Sequence, residues 1–204
     1  MRTILVMAAA LAAVGAIVGG LVVGGFIDVA PERVSRTIGE ASIGGPFELV
    51  DGSGKTVDDA QFRGKAMLIY FGFTFCPDIC PTELSAMADA LDLLPPEVAD
   101  RVQPIFITID PERDTPAVVG EYAAAFHPRL VGLTGSPEQI QAAARAYRVY
   151  YAKQEAETAG APYLMAHSSI IYLMDEDGRF ARHFSAGTPP ADIAAGIAEV
   201  VDGD

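Results

Sequence analysis

The chain contains two cysteines, both in Cys76-Pro77-Asp78-Ile79-Cys80-Pro81. Prolines four positions apart cannot both sit inside regular helix, so residues 76–80 read as a turn, with Pro81 opening a helix and Cys80 at its N-cap. Backbone N–H groups and the helix dipole favour thiolate over thiol there. Two sulfurs converging on one point suit either a redox-active disulfide between Cys76 and Cys80 or a soft metal. Thiolates select Cu(I), with Zn(II) the usual competitor. Two thiolates leave a metal under-coordinated, and the chain offers three histidines. His167 precedes an apolar run and faces the cysteine turn if that run neighbours the strand leading into the turn; the alternative is a structural histidine. His127, in Phe126-His127-Pro128, fits a helix-end cap, and His183 falls on a terminal hairpin. Met165 is read as core rather than as an auxiliary sulfur.

The elements that must position these residues follow from pattern. Residues 47–50 and 55–57 flank Asp51-Gly52-Ser53-Gly54, a hairpin signal. Met67-Leu68-Ile69-Tyr70-Phe71 is a continuous apolar run, as in a strand buried on both faces. Leu84, Met87, Ala88, Leu91 and Leu94 recur at helical spacing and stop at Pro95-Pro96. Residues 105–109 read as a second buried strand, and Val118, Val119, Tyr122 and Phe126 mark a second helix. Residues 130–133 read as a short strand. Ser136-Pro137-Glu138-Gln139 is a capping box with proline at the first helical position. A strand over 149–153, a polar loop over 154–164, a hairpin of residues 169–174 and 180–184, and a last helix capped by Thr188-Pro189 complete the chain. Alternating β and α elements predict a mixed, mostly parallel sheet flanked by helices, the α/β arrangement of a thioredoxin-like fold. Ligands of such sheets sit beyond the carboxyl ends of the strands, where the cysteine turn falls.

Half of the 204 residues are hydrophobic, and the excess is concentrated at residues 4–27, which carry no charge. As helix this run rises about 36 Å, enough for a hydrocarbon core of about 30 Å and long for a secretory signal. It reads as an uncleaved anchor (residues 1–27), followed by a tether (28–45) and the folded domain (46–204). Arg2 favours a cytoplasmic N-terminus and so a domain outside the cytoplasm: single-pass in a bacterial inner membrane, facing the periplasm. No cysteine stands directly after the run, which excludes a lipoprotein anchor. The whole chain carries a net charge of −13, and Arg2 is the only charged side chain before Asp28, so residues 28–204, with 13 basic and 27 acidic groups, carry a net −14. Such a surface repels phosphate backbones, and no nucleic-acid partner is expected.

Residues 70–81, Tyr-Phe-Gly-Phe-Thr-Phe-Cys-Pro-Asp-Ile-Cys-Pro, resemble the signature of the Sco/SenC copper-chaperone family. So do Asp110-Pro111-Glu112-Arg113-Asp114-Thr115, His127-Pro128-Arg129, Gly132-Leu133-Thr134-Gly135, Tyr147-Arg148-Val149-Tyr150 and His167-Ser168. The similarity runs over roughly residues 44–200. It implies a membrane-anchored thioredoxin fold holding one copper ion, Cu(I) and/or Cu(II), through Cys76, Cys80 and His167. It further implies delivery from an upstream copper donor to the dinuclear copper centre of cytochrome c oxidase subunit II. The family's acidic residue after the central strand matches Asp110, placed near the metal; the alternative is a cap on the helix at Thr115. Asp78, inside the cysteine motif, is a second candidate for an outer carboxylate. One departure is Ala166, where many members carry aspartate directly before the histidine.

On this reading the protein is a carrier rather than an enzyme. The competing reading is a thiol-disulfide oxidoreductase that reduces the cysteines of the same copper site. Thioredoxin-type enzymes use Cys-x-x-Cys, usually after tryptophan, whereas this chain has Cys-x-x-x-Cys and no tryptophan. A thiol peroxidase places threonine three residues before its cysteine; Thr74 stands two before Cys76. An inert bridge would leave the charge-stabilising turn unexplained.

Overall fold

The computed structural model describes residues 43–154 and 163–203. The expected membrane anchor, nearly all of the tether and residues 155–162 of the polar loop lie outside them. Among the described residues no helix is long and apolar enough to cross a membrane.

The apolar run becomes β3 (Ala66–Gly72), buried at all seven residues. A strand with no polar face must be covered on both sides, and each of its larger side chains contributes about 1.5–3 kcal/mol by leaving water. Before it stand β1 (Glu48–Asp51) and β2 (Thr56–Asp58). After it come α1 (Ile79–Leu93), a single turn α2 (Pro96–Ala99) and β4 (Val102–Thr108). Then follow α3 (Pro116–Phe126), β5 (Val131–Thr134) and α4 (Pro137–Ala146). Next are β6 (Tyr151–Gln154), β7 (Leu164–His167), β8 (Ile170–Met174), β9 (Phe180–Ser185) and α5 (Pro190–Asp202).

Seven strands form one sheet in the order β2-β1-β5-β4-β3-β8-β9. Only β3/β4 and β4/β5 are parallel; the other four pairings are antiparallel. The sheet is therefore mixed but not mostly parallel. Alternation with helices extends over three central strands only, and a hairpin closes each side.

A second correction concerns the strand expected over 149–153. It forms as β6, but pairs with β7 in a separate two-stranded ribbon. The cause is local. The Ser136 capping box forms as expected, but α4 ends at Ala146 with Tyr147 as its C-cap; Arg148 then takes a left-handed conformation (φ 57°), and Val149 N–H returns to Ala144 O at 2.8 Å. That turn sends the chain away from the sheet. The last helix also departs in detail: Pro189 is its N-cap, and the Thr188 hydroxyl instead donates to Ser185 O.

Candidate metal centre

β3 stops at Gly72 because the next residues must turn across the sheet end. The turn is tied down from below. Asp114, fully buried, accepts from Thr74 N–H (3.0 Å), Thr74 Oγ1 (2.6 Å) and Thr108 Oγ1 (2.6 Å). Cys76 N–H then donates to Phe73 O at 3.2 Å. The helix begins two residues earlier than the prolines suggest, at Ile79, with Asp78 as N-cap. Pro81 occupies the third helical position, where the N–H has no intrahelical acceptor and its loss costs nothing. Cys80 thus lies in the first turn rather than at the cap. It is fully buried, Cys76 is half-buried, and both are free thiols. Cys80 N–H points at Cys76 Sγ, 3.4 Å away.

Gly72 makes room for this sulfur. A Cβ there would stand 2.9 Å from Cys80 Sγ and 3.0 Å from the Tyr70 ring.

The third candidate donor arrives from the opposite side. His167 ends β7, and the next strand, β8, pairs with β3 (Ile171 opposite Tyr70), which is the neighbourhood the sequence reading required. Its Nε2 lies 3.4 Å from Cys80 Sγ. Its Nδ1 lies 3.0 Å from the Ser168 carbonyl, which only accepts; Nδ1 therefore carries the proton and Nε2 presents its lone pair to the sulfurs. Tyr70 and Phe73 meet the imidazole edge-on at 6.1 and 6.0 Å. The ligand atoms of Cys76, Cys80 and His167 all lie within 4.8 Å of one another. Metal–sulfur bonds of about 2.3 Å and metal–nitrogen bonds of about 2.0 Å bring ligand atoms to comparable separations, so the set fits one small soft ion.

Burial decides the protonation of this pocket. It pushes the Cys80 thiol up, against the helix terminus, so the helix start does not make Cys80 a thiolate in the metal-free protein; its proton leaves when metal binds. Burial also lowers the His167 pKa. An imidazole kept neutral by folding costs nothing while the unfolded chain is neutral too. As pH falls below about 6.5, the unfolded chain takes up a proton that the folded one resists, and stability declines toward the folded pKa. Metal-free protein should therefore lose more denaturant resistance between pH 7.5 and 5.0 than its His167→Gln variant. Equal losses in urea titrations would contradict a buried neutral imidazole.

Asp78 is exposed, and its side chain makes no cap hydrogen bond; its carbonyl accepts from Thr82. Asp110 is buried, stands outside the three-ligand group and does not cap the helix, whose N-cap is Thr115. Its carboxylate instead accepts from Arg113 Nε and from Tyr163 Oη (2.8 Å). His127 Nδ1 accepts from Arg129 N–H near the end of α3, and His183 is exposed. Met165 packs against the core and lines a 460 Å³ cavity with Ile109, Asp110 and Lys153. Arg113, Asp114, Tyr163 and Tyr70 were not legible as site residues. The bonds that tie them to the site, Arg113 to Tyr163, Asp114 to Thr74 and Tyr70 to Ser169, span 40 to 99 positions of chain, and no local spacing marks them.

A thioredoxin-like α/β domain with a Cys-x-x-x-Cys loop and one distal histidine closed over a single point defines a class of soft-metal-binding proteins. The SCO1/SenC family model matches residues 35–202, and the chain belongs to that family. It is 45% identical over 163 residues to the mitochondrial SCO1 homolog 1 of Arabidopsis thaliana, covering 80% of this chain and 48% of that protein. The chain thus spans about half the length of that relative. The crystal structure of Arabidopsis thaliana ScoI with copper bound matches with a TM-score of 0.73 at 42% identity, over 80% of this chain and 100% of that one. Bradyrhizobium japonicum ScoI with copper bound matches with a TM-score of 0.71 at 44% identity, over 78% and 99% of the two chains.

Proposed function

We propose that the protein is a membrane-anchored copper metallochaperone of cytochrome c oxidase assembly. It takes one copper ion from an upstream donor, holds it through Cys76, Cys80 and His167, and passes it to the dinuclear copper centre of subunit II. Residues 4–27 serve as its anchor in a bacterial inner membrane, with the domain on the periplasmic side. The observation that carries this reading is the convergence of two free thiols and one imidazole lone pair within 4.8 Å at the sheet end. The copper-bound structures of similar proteins support copper as the ion.

The arrangement suits carrying rather than catalysis. Cys80 is buried and Cys76 half-buried, so the ligands are graded in access. Incoming acceptor thiolates displace the neutral imidazole first, then Cys76, and Cys80 last. Each exchange forms one metal–ligand bond as another breaks, and the copper keeps its oxidation state.

The reductase reading draws on the same two thiols, so cysteine variants do not separate it from delivery, whereas His167 does. Disulfide exchange needs a thiolate, its partner and access, but no imidazole ligand. His167→Ala should abolish assembly of the oxidase copper centre while leaving dithiol chemistry of the purified protein intact. It should weaken Cu(II) more than Cu(I), because two thiolates alone satisfy Cu(I). The readouts are oxidase activity and copper content in cells carrying only this variant. Partial rescue by added copper supports delivery. Full assembly without His167 would overturn it in favour of the reductase.

A further inference from the structure

We propose that Arg113 is the positioning residue that fixes His167 against the cysteines, and that it thereby sets the site's preference between Cu(II) and Cu(I). This rests on the copper-site reading above. β7, which carries His167, belongs to no large sheet; it pairs only with β6 in the two-stranded ribbon. β7 itself makes no ladder to β3; after His167 the chain is held where Tyr70 Oη meets Ser169 Oγ at 3.0 Å and where β8 pairs with β3 from Ile171. Ala166, directly before the histidine, supplies no carboxylate to orient it. The side of β7 that precedes the histidine needs a separate tie to the cysteine loop.

Arg113 spans that gap. Its guanidinium carbon lies 3.7 Å from the ring centre of Tyr163, the residue just before β7, and Nη1 donates to the Tyr163 carbonyl at 3.0 Å. On the other side it lies 4.7 Å from the ring centre of Phe75, which adjoins Cys76, and 5.8 Å from that of Phe73. Phe73 in turn meets the His167 ring edge-on. Asp110 braces the clamp, accepting from Arg113 Nε and from the Tyr163 hydroxyl. Lys153 packs on Tyr163 at 3.9 Å and pairs with Glu112 at 2.8 Å. Only a planar cation can stack between aromatic rings while donating in its own plane to a carboxylate and a carbonyl; lysine, a flexible point charge, cannot. The third guanidinium nitrogen, Nη2, is buried and finds no hydrogen-bond partner among the described residues.

The consequence follows from coordination chemistry. Cu(I) is satisfied by two thiolates, whereas Cu(II) demands the nitrogen donor as well. A loosened clamp therefore costs Cu(II) more than Cu(I). Arg113→Ala should weaken Cu(II) binding by roughly 10-fold or more, the scale of lost outer contacts at metal sites. Cu(I) should weaken less, and the imidazole nitrogen coupling in the Cu(II) electron paramagnetic resonance spectrum should diminish. Arg113→Lys should not rescue. In a His167→Ala background the same Arg113→Ala change should alter Cu(II) affinity less than about twofold, since the residue acts through the histidine. Equal loss in both backgrounds, or rescue by lysine, would overturn the proposal. Tyr163→Phe keeps the stack and the carbonyl and removes only the Asp110 bond; it should give a smaller loss that also vanishes without His167. It decides the matter if Arg113→Ala does not fold. An arm without copper uses the metal-free protein labelled with ¹⁵N-histidine. There Arg113→Ala, or Tyr163→Phe in its place, should turn one ordered His167 ring signal into exchange-broadened ones, and unchanged signals would overturn the clamp. Wild-type protein that binds no copper would refute the copper reading while leaving this last comparison decisive for Arg113.

Discussion

Serine in place of Cys76 or Cys80 is expected to strip the reduced protein of copper. Sulfur and oxygen differ little in size here but greatly as donors. A thiol gives up its proton to become a soft, polarisable ligand, whereas a serine hydroxyl stays protonated and hard at neutral pH. The remaining thiolate and His167 make a two-donor site with only one soft anion. At position 80 the sulfur sits fully buried against Gly72 and 3.4 Å from His167 Nε2, so a hydroxyl there stays protonated and donates to the imidazole instead of binding metal. Metal content after anaerobic purification with reductant should read one copper per wild-type chain and none in either variant. A urea midpoint lowered by no more than a typical core substitution, about 1–3 kcal/mol, shows that the loss is chemical and not unfolding. A Cys80→Ser chain that keeps its copper would remove Cys80 from the ligand set.

The second large effect is on stability and starts at Asp114. Its carboxylate accepts three hydrogen bonds from Thr74 and Thr108 in a fully buried position, and its own carbonyl accepts from Thr134. Asp114→Ala leaves the Thr74 N–H and the hydroxyl protons of Thr74 and Thr108 without acceptors. At about 1–3 kcal/mol for each stranded buried group, the total is roughly 3–5 kcal/mol. That is a large part of the 5–15 kcal/mol that ordinarily separates folded from unfolded domains. Asp114→Asn keeps the shape and one acceptor oxygen and should recover part of the loss. Denaturant titration of the metal-free proteins measures both. A change below about 1 kcal/mol for the alanine variant would mean that Asp114 does not hold the cysteine loop. Because Thr74 stands two residues before Cys76, the same variant should also weaken copper binding.

Much of the scaffold was legible in pattern. The apolar run of residues 67–71 had to be a strand covered on both faces, and it is the centre of the sheet. The capping box at Ser136 formed as written, because its hydrogen bonds lie within four residues. The helix start near Cys80 was misplaced because proline is tolerated at any first-turn position, not at the first alone. The sheet's character was misjudged because alternation reports neighbours in sequence, whereas β1 and β8 find their partners in β5 and β3 across long separations.

Read alone, the chain leaves His167 open between a metal ligand and a structural histidine, but it carries the donor types and the cysteine turn at the end of a buried strand. Those are matters of donor chemistry and short-range spacing, which a chain carries in order. It takes the packed chain to send β6 and β7 out of the sheet as a ribbon, to raise the Cys80 thiol by burial, and to turn Asp110 toward Arg113 and Tyr163 rather than a helix end. Burial and long-range pairing are properties of the packed whole. They depend on which distant residues exclude water from a given atom, and no spacing along the chain encodes that.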